Sequence, residues 1–270
     1  MNTKTRALVE SAVMVALAFI LSMIKVIDLP YGGSVTVASM LPIVIISYRW
    51  GLKTGLLSAF VYAVTQQIMG LNNLSYVTTW QSVVAIIMLD YIVAFIVCGL
   101  GGIFRKPVKN QALALALGAG MACIIRYVCH VISGATVWAG ISIPTAAATI
   151  YSLIYNATYM LPETIITVLV AVYLGSTVEF RKDRPARMQT ETVGTKTSFA
   201  LKACGGLAVL VGLIADIALI FSKLQNAESG EFDFTHISSV NWVAVVAVSA
   251  VCAIVAAVFY AVGAIKKEAK

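Results

Sequence analysis

The sequence predicts an all-α membrane protein of about eight transmembrane helices with both termini in the cytoplasm, on three observations. Hydrophobic residues make up 60% of the 270 positions and charged residues only 11%, whereas a soluble domain carries about 25% charged residues. Several apolar runs reach the roughly 20 residues needed to cross a bilayer. The basic residues fall in alternate connections. With the N-terminus inside, all of the 19 Lys and Arg except Lys25, Arg126 and Lys223 lie on the cytoplasmic side, as expected where positive charge sets orientation. The formal charge of +7 is therefore a topology signal, and no nucleic-acid partner is expected.

The spans are placed at about 7–27, 37–48, 51–70, 81–104, 111–135, 146–175, 199–221 and 240–264 from their apolar runs. The first follows Lys4 and Arg6. It is longer than a signal-peptide core, carries Glu10 and lacks an A-x-A cleavage site, so it reads as a membrane helix rather than a removed leader. The second is short and interrupted by Pro42. The fourth is apolar apart from Asp90–Tyr91. The fifth carries Arg126 and His130, four apart on one face. In the sixth, Ser152, Asn156, Tyr159 and Glu163 follow a single helical stripe, with Pro162 inside the helix. A polar linker at 179–198 then separates a six-helix core, 1–178, from a C-terminal transmembrane hairpin, 199–270, whose spans hold Asp216 as their acidic group.

The five cysteines sit in apolar runs without a C-x-x-C pair. They read as buried thiols, neither a disulfide framework nor a zinc site. No G-x-x-x-x-G-K-[ST] phosphate loop and no H-E-x-x-H occurs, so neither ATP hydrolysis nor a zinc-peptidase site is expected of this chain.

Ionisable groups at membrane depth are expensive and usually face a cavity. The stretch from Arg126 to Glu163 concentrates them. Joined with Asp90 and Tyr91, it offers carboxylates, aromatic faces, an imidazole and an amide near the outer end of the bundle. That set suits a flat, nitrogen-bearing cation: an acid balances its charge, indole or phenol faces stack on its ring, and amide edges orient it. Arg126 reads as a structural residue, and the alternative to a ligand role for Asp90 is an internal salt bridge with Arg126. Tyr155 and Tyr159 read as residues of the membrane-interface belt, as do Trp80 and Trp242.

Four segments carry a family resemblance: Y-G-G-S-V-T-V-A-S-M-L-P-I (31–43), L-D-Y-I-V-A-F (89–95), H-V-I-S-G-A-T-V-W (130–138) and Y-S-L-I-Y-N-A-T-Y-M-L-P-E (151–163). About the first two-thirds of the chain resembles the thiamine-specific substrate-binding component (S component) of energy-coupling-factor vitamin transporters. The resemblance implies a six-helix S-component core, extended here by two helices, in a bacterial cell membrane. It implies a non-enzymatic subunit that binds thiamine at high affinity in an outward-facing pocket. It also implies a transmembrane coupling subunit and two ABC ATPase subunits that hydrolyse ATP for uptake, with no cofactor or metal in this chain. By position, the binding roles fall on Asp90, Tyr91, His130, Trp138, Tyr151 and Asn156, with Tyr31 and Glu163 as weaker candidates. Ala12 and Ala16 match an A-x-x-x-A that meets the coupling subunit, a spacing that lets helices approach closely. The family's acid in span four is usually glutamate, one methylene longer than Asp90.

Other readings stay open. The same scaffold can serve another vitamin or precursor. A membrane-embedded enzyme would use Asp90, His130 and Glu163 as metal ligands or as an acid–base pair. A stand-alone carrier would transport on a gradient without an ATPase.

Overall fold

In a computed structural model the described residues are 2–29, 32–141, 143, 145–188, 193–224 and 234–268. They are overwhelmingly helical and form two units, Met1–Ala186 and Arg187–Lys270. The first contains six helices: α1 (Thr3–Met23), α2 (Leu41–Trp50), α3 (Leu52–Met69), α4 (Trp80–Arg105), α5 (Gln111–Thr136) and α6 (Ala148–Thr177). The second is a pair, α7 (Val193–Leu224) and α8 (Trp242–Glu268). Among the described residues, α1, α4, α5, α6 and the apolar parts of α7 and α8 are long and apolar enough to cross a membrane.

α1 starts at Asn2, whose side chain accepts from the Lys4 N–H. It contributes little to the core, since only Ser11 and Ala18 on it are buried. One residue beyond it the chain enters β1 (Lys25–Asp28), which pairs antiparallel with β2 (Ser34–Thr36). This short ribbon occupies part of the stretch read as span two. The helix there begins only at Leu41, and Pro42 lies in its first turn, where the missing N–H has no intrahelical partner to lose. Pro42 therefore opens α2 rather than interrupting it. α2 is buried from Leu41 to Arg49 and, at about 15 Å for ten residues, is a core helix sheathed by the others.

α4 changes its winding along its length. It is α-helical over Trp80–Ile86, π-helical over Ile87–Val93 and 3₁₀ over Val97–Arg105. The wide segment carries Asp90 and Tyr91, in keeping with the frequent occurrence of π turns at functional sites. The tight segment is made possible by small residues and by Ser47. The Ser47 hydroxyl donates to the Gly99 carbonyl and accepts from the Gly102 N–H (3.0 Å), satisfying backbone groups in an apolar setting where water cannot. On the other side α5 presents Gly118 directly to the Gly101 carbonyl oxygen, with no room for a Cβ.

The inner end of this unit is tied by Arg49. Its guanidinium bonds Glu10 of α1 through Nε (2.9 Å) and Nη2 (3.2 Å). It also donates to the carbonyls of Phe180, Lys182 and Asp183. The Trp50 indole donates to the same Glu10 carboxylate (2.8 Å). The start of the linker is thus folded against the core. In the second unit, α7 and α8 pack side by side, with Gly212 against Cys252, and the Ser249 hydroxyl donates to Asp216 (2.5 Å).

Gly118→Ala is expected to lower the thermal unfolding midpoint of the purified protein, because overpacking costs about 1–3 kcal/mol. Gly120→Ala, whose added carbon would meet only Val168 at 3.8 Å, should leave it unchanged. Equal midpoints for the two variants, read by scanning fluorimetry, would refute the close α4–α5 approach.

Candidate functional site

The first unit encloses a cavity of about 500 Å³. Its walls come from the outer end of α1, the β1–β2 ribbon, the outer ends of α3 and α4, α5 and α6. Asp90, Tyr91, His130, Trp138, Asn156 and Glu163 all line it. Five of the six residues picked by position are therefore brought together. Tyr151, near the start of α6, is not among the lining residues. Tyr31 lies outside the described residues.

Asp90 is the electrostatic centre. Its Oδ1 lies 2.9 Å from His130 Nδ1. Its Oδ2 accepts from the Ser133 hydroxyl (2.7 Å) and from the Trp138 indole N–H (3.0 Å). A carboxylate offers about four acceptor sites, so these three leave about one for a guest. Trp138 is buried, 7% exposed. Its ring is tilted against Tyr76, with centroids 6.1 Å apart.

Arg126 does not pair directly with Asp90, so the alternative of a salt bridge between them is not realised. His130 stands between them: the Arg126 Nε–H donates to His130 Nε2 (3.2 Å). The guanidinium lies over the Phe95 ring, 4.2 Å from its centroid, and its Nη1 approaches the Met40 sulfur (3.2 Å). Arg126 also lines the cavity. A guanidinium that stacks on an aromatic face is held by its plane as well as its charge. A reading from spacing alone, which sees only a charge four residues from a histidine, misses this geometry.

The stripe on α6 is fully turned inward. Ser152, Asn156, Tyr159 and Glu163 are 0%, 4%, 5% and 1% exposed. Asn156 Nδ2 donates to the Ser152 carbonyl and hydroxyl oxygens (2.9 and 3.1 Å) and to the His130 carbonyl (3.2 Å). Its Oδ1 accepts from the Tyr159 hydroxyl. Tyr155 and Tyr159 both line the cavity, which corrects their reading as interface residues. The periodicity already carried the signal for Tyr159, since it shares a face with Asn156 and Glu163.

Glu163 acts as a staple. Its two oxygens accept from the Thr36 N–H (2.5 Å) and the Thr36 hydroxyl (2.7 Å), fastening β2 to α6. The ribbon it holds forms part of the cavity wall. On the other side Gly32 (φ +100°) lies so close to the Asn73 amide that a Cβ would collide with it. The same amide donates to the Tyr91 hydroxyl (2.8 Å), which donates to the Gly70 carbonyl (3.3 Å). Nothing in the local sequence around Asn73 identifies it as a lining residue.

Among the described residues no three His, Cys, Asp or Glu side chains converge as metal ligands. Asp90 and His130 bond each other, and Glu163 is engaged with Thr36. The geometry is that of a polar receptacle with fixed hydrogen-bonding groups, open to a small aromatic guest.

A family model described as thiamine transporter protein matches residues 8–181. The thiamine transporter ThiT of Bacillus subtilis is 36% identical over 181 residues, covering 63% of this chain and 90% of that protein. ThiT of Lacticaseibacillus paracasei is 28% identical over 179 residues, covering 60% and 83%. A solved structure of ThiT from Listeria monocytogenes shares the fold, with a TM-score of 0.54 at 19% identity over 65% of this chain and 96% of that one. The family match ends before α7 and α8 begin.

Glu163→Ala would leave the Thr36 N–H unpaired, at about 1–3 kcal/mol if it stays buried, and would leave the Thr36 hydroxyl to Ser39 alone (2.8 Å). Hydrogen exchange should then quicken in peptides covering 32–40, while α2 and α5 remain protected. Unchanged exchange there would remove the staple.

Proposed function

Because the chain belongs to the thiamine transporter protein family, we propose that it is the substrate-binding membrane subunit of an energy-coupling-factor transporter. In this reading it holds thiamine at high affinity in the outer cavity, and partner subunits drive uptake. The observation that carries it is the convergence of Asp90, Tyr91, His130, Trp138 and Asn156 on one cavity in a multi-pass membrane protein of a transporter family rather than an enzyme family.

The physical chemistry of the cavity supports a monocationic heterocycle. Its formal charges are Asp28, Asp90 and Glu163 against Lys25 and Arg126. Lys25 and Asp28 pair with each other (2.9 Å), which leaves Asp90, Glu163 and Arg126 deeper in the cavity. An acid in an apolar setting is costly to ionise unless a cation balances it, so a cationic guest beside Asp90 stabilises the cavity as the cavity stabilises it. Trp138 and Tyr155 present faces for stacking, each worth about 0.5–2 kcal/mol against a cation in a dry site. The one remaining acceptor position on Asp90 takes an exocyclic amine.

The partners follow from the same proposal. A coupling subunit packs on α1, where Ala12 and Ala16 are exposed and let another helix approach closely. Two ABC ATPase subunits hydrolyse ATP, and this chain uses no cofactor of its own.

Titration of the purified protein with thiamine, followed by tryptophan fluorescence, is expected to show tight binding. Asp90→Ala and Trp138→Ala should each weaken it roughly tenfold or more, the loss of a charged hydrogen bond or a stacked ring. Unchanged affinity in both folded variants would overturn the assignment, and tight binding of a different vitamin instead would move the substrate. In the assembled transporter, Ala12→Leu with Ala16→Leu should abolish ATP-driven uptake and leave thiamine affinity within about twofold, since nothing at the cavity changes. Full uptake by that double variant would remove α1 as the docking face.

A further inference from the structure

We infer that Arg126 is a positioning residue of the binding site, which holds the His130 ring through Nε2 while Asp90 takes its Nδ1 proton, and through that ring sets the placement of Asp90 and Trp138. The inference rests on the proposed binding role of this cavity. The side chains form one chain of hydrogen bonds: Arg126 Nε to His130 Nε2 at 3.2 Å, His130 Nδ1 to Asp90 Oδ1 at 2.9 Å, and Trp138 Nε1 to Asp90 Oδ2 at 3.0 Å.

The order of donors in this chain is forced. A guanidinium N–H only donates, and Arg remains charged in any protein setting. His130 Nε2 must therefore offer its lone pair to Arg126, which places the ring proton on Nδ1. That proton points at Asp90. The opposite tautomer would set an N–H of His130 against an N–H of Arg126 and a lone pair against a carboxylate oxygen. Two repulsions would replace two hydrogen bonds in a site where His130 is 8% exposed and water cannot intervene.

Arg126 itself is well fixed. Its plane lies over Phe95 at 4.2 Å, so its Nε–H has a set direction. Asp90 is anchored from the other side by Ser133 (2.7 Å). With both oxygens of the carboxylate held, the Trp138 N–H is held too, and the indole plane is set before any ligand arrives. Preorganisation of this kind raises affinity by lowering the ordering required on binding. Both ring nitrogens of His130 are used within the protein. Its contribution to a ligand is therefore the ring edge and face, while its hydrogen bonds organise its neighbours.

The test separates this role from packing alone. Arg126→Met keeps an apolar chain against Phe95 but removes the donor; Arg126→Lys retains a donor and the charge. The chain has only two histidines, so the imidazole ¹⁵N signals of His130 are assigned by comparison with His236→Gln. In the ligand-free wild type these signals should report the Nδ1–H tautomer. In Arg126→Met the Nδ1 proton stays with Asp90, and the signal of the unprotonated Nε2 should move downfield as that nitrogen loses its donor, with thiamine affinity reduced tenfold or more and the Trp138 emission altered. Arg126→Lys should restore the wild-type Nε2 signal and most of the affinity.

Wild-type signals and affinity in Arg126→Met would overturn the inference. So would a loss of affinity with the His130 signals unchanged, which would make Arg126 a direct ligand contact or a packing residue. Should Arg126→Met fail to fold, Arg126→Gln is read in its place: its neutral amide still donates, so it should keep the wild-type Nε2 signal, and loss of that signal would overturn the inference. A wild type that binds no thiamine would defeat the functional reading alone, because the ¹⁵N signals are read without ligand.

Discussion

The fold of the first unit is organised around a carboxylate that has to be kept inside a bilayer. An ionised acid in an apolar interior is costly unless its oxygens are satisfied, and Asp90 is satisfied from three directions by His130, Ser133 and Trp138. Those donors come from α5 and the turn that follows it, so the demands of one acid dock α4 against α5 and pull the next segment over the cavity. The π-helical winding of α4 around Asp90 and the 3₁₀ winding below it belong to the same arrangement. The helix is wide where it carries the acid and narrow where small residues pass α2, α3 and α5.

Glu163 poses the same problem at another depth and is solved by backbone. The N–H and hydroxyl of Thr36 take the two oxygens, so the carboxyl group is buried at 1% exposure by recruiting a strand rather than a cation. The two acids thus account for the two halves of the cavity wall, one built of helices and one built of a ribbon.

Much of this was legible in the chain. The membrane class, the apolar runs of α1, α4, α5, α6, α7 and α8 and the inward stripe of Ser152, Asn156, Tyr159 and Glu163 follow from hydrophobic run length and 3.6-residue periodicity; of the eight spans expected, six helices among the described residues are long and apolar enough to cross, and the second is a core helix. The clustering of Asp90, His130, Trp138 and Asn156 was read from the cost of placing such groups in lipid, together with a family resemblance. What was hidden depends on partners distant in sequence. Thr36 and Glu163 are 127 positions apart, and nothing near Thr36 announces a carboxylate. The ribbon at 25–36 was obscured because its strands are four and three residues long, too short to alternate convincingly. Pro42 looked like a breaker because its position relative to the start of α2 was unknown. A salt bridge between Arg126 and Asp90 stood as the alternative to a ligand role because charge is visible in a sequence, whereas an intervening imidazole and a stacked Phe95 are not.

The join between α1 and the ribbon has a mechanical consequence. α1 ends at Met23, a single residue follows, and β1 begins at Lys25; Met23 and Lys25 already border the cavity. At its other end α1 is gripped through Glu10 by Arg49 and Trp50, while its middle is loosely packed, with only Ser11 and Ala18 buried. Such a rod has no slack at its outer tip. A sideways displacement of its tip would move the rim of the hollow directly, because Ser22 and Met23 at the end of the rod are themselves part of the wall.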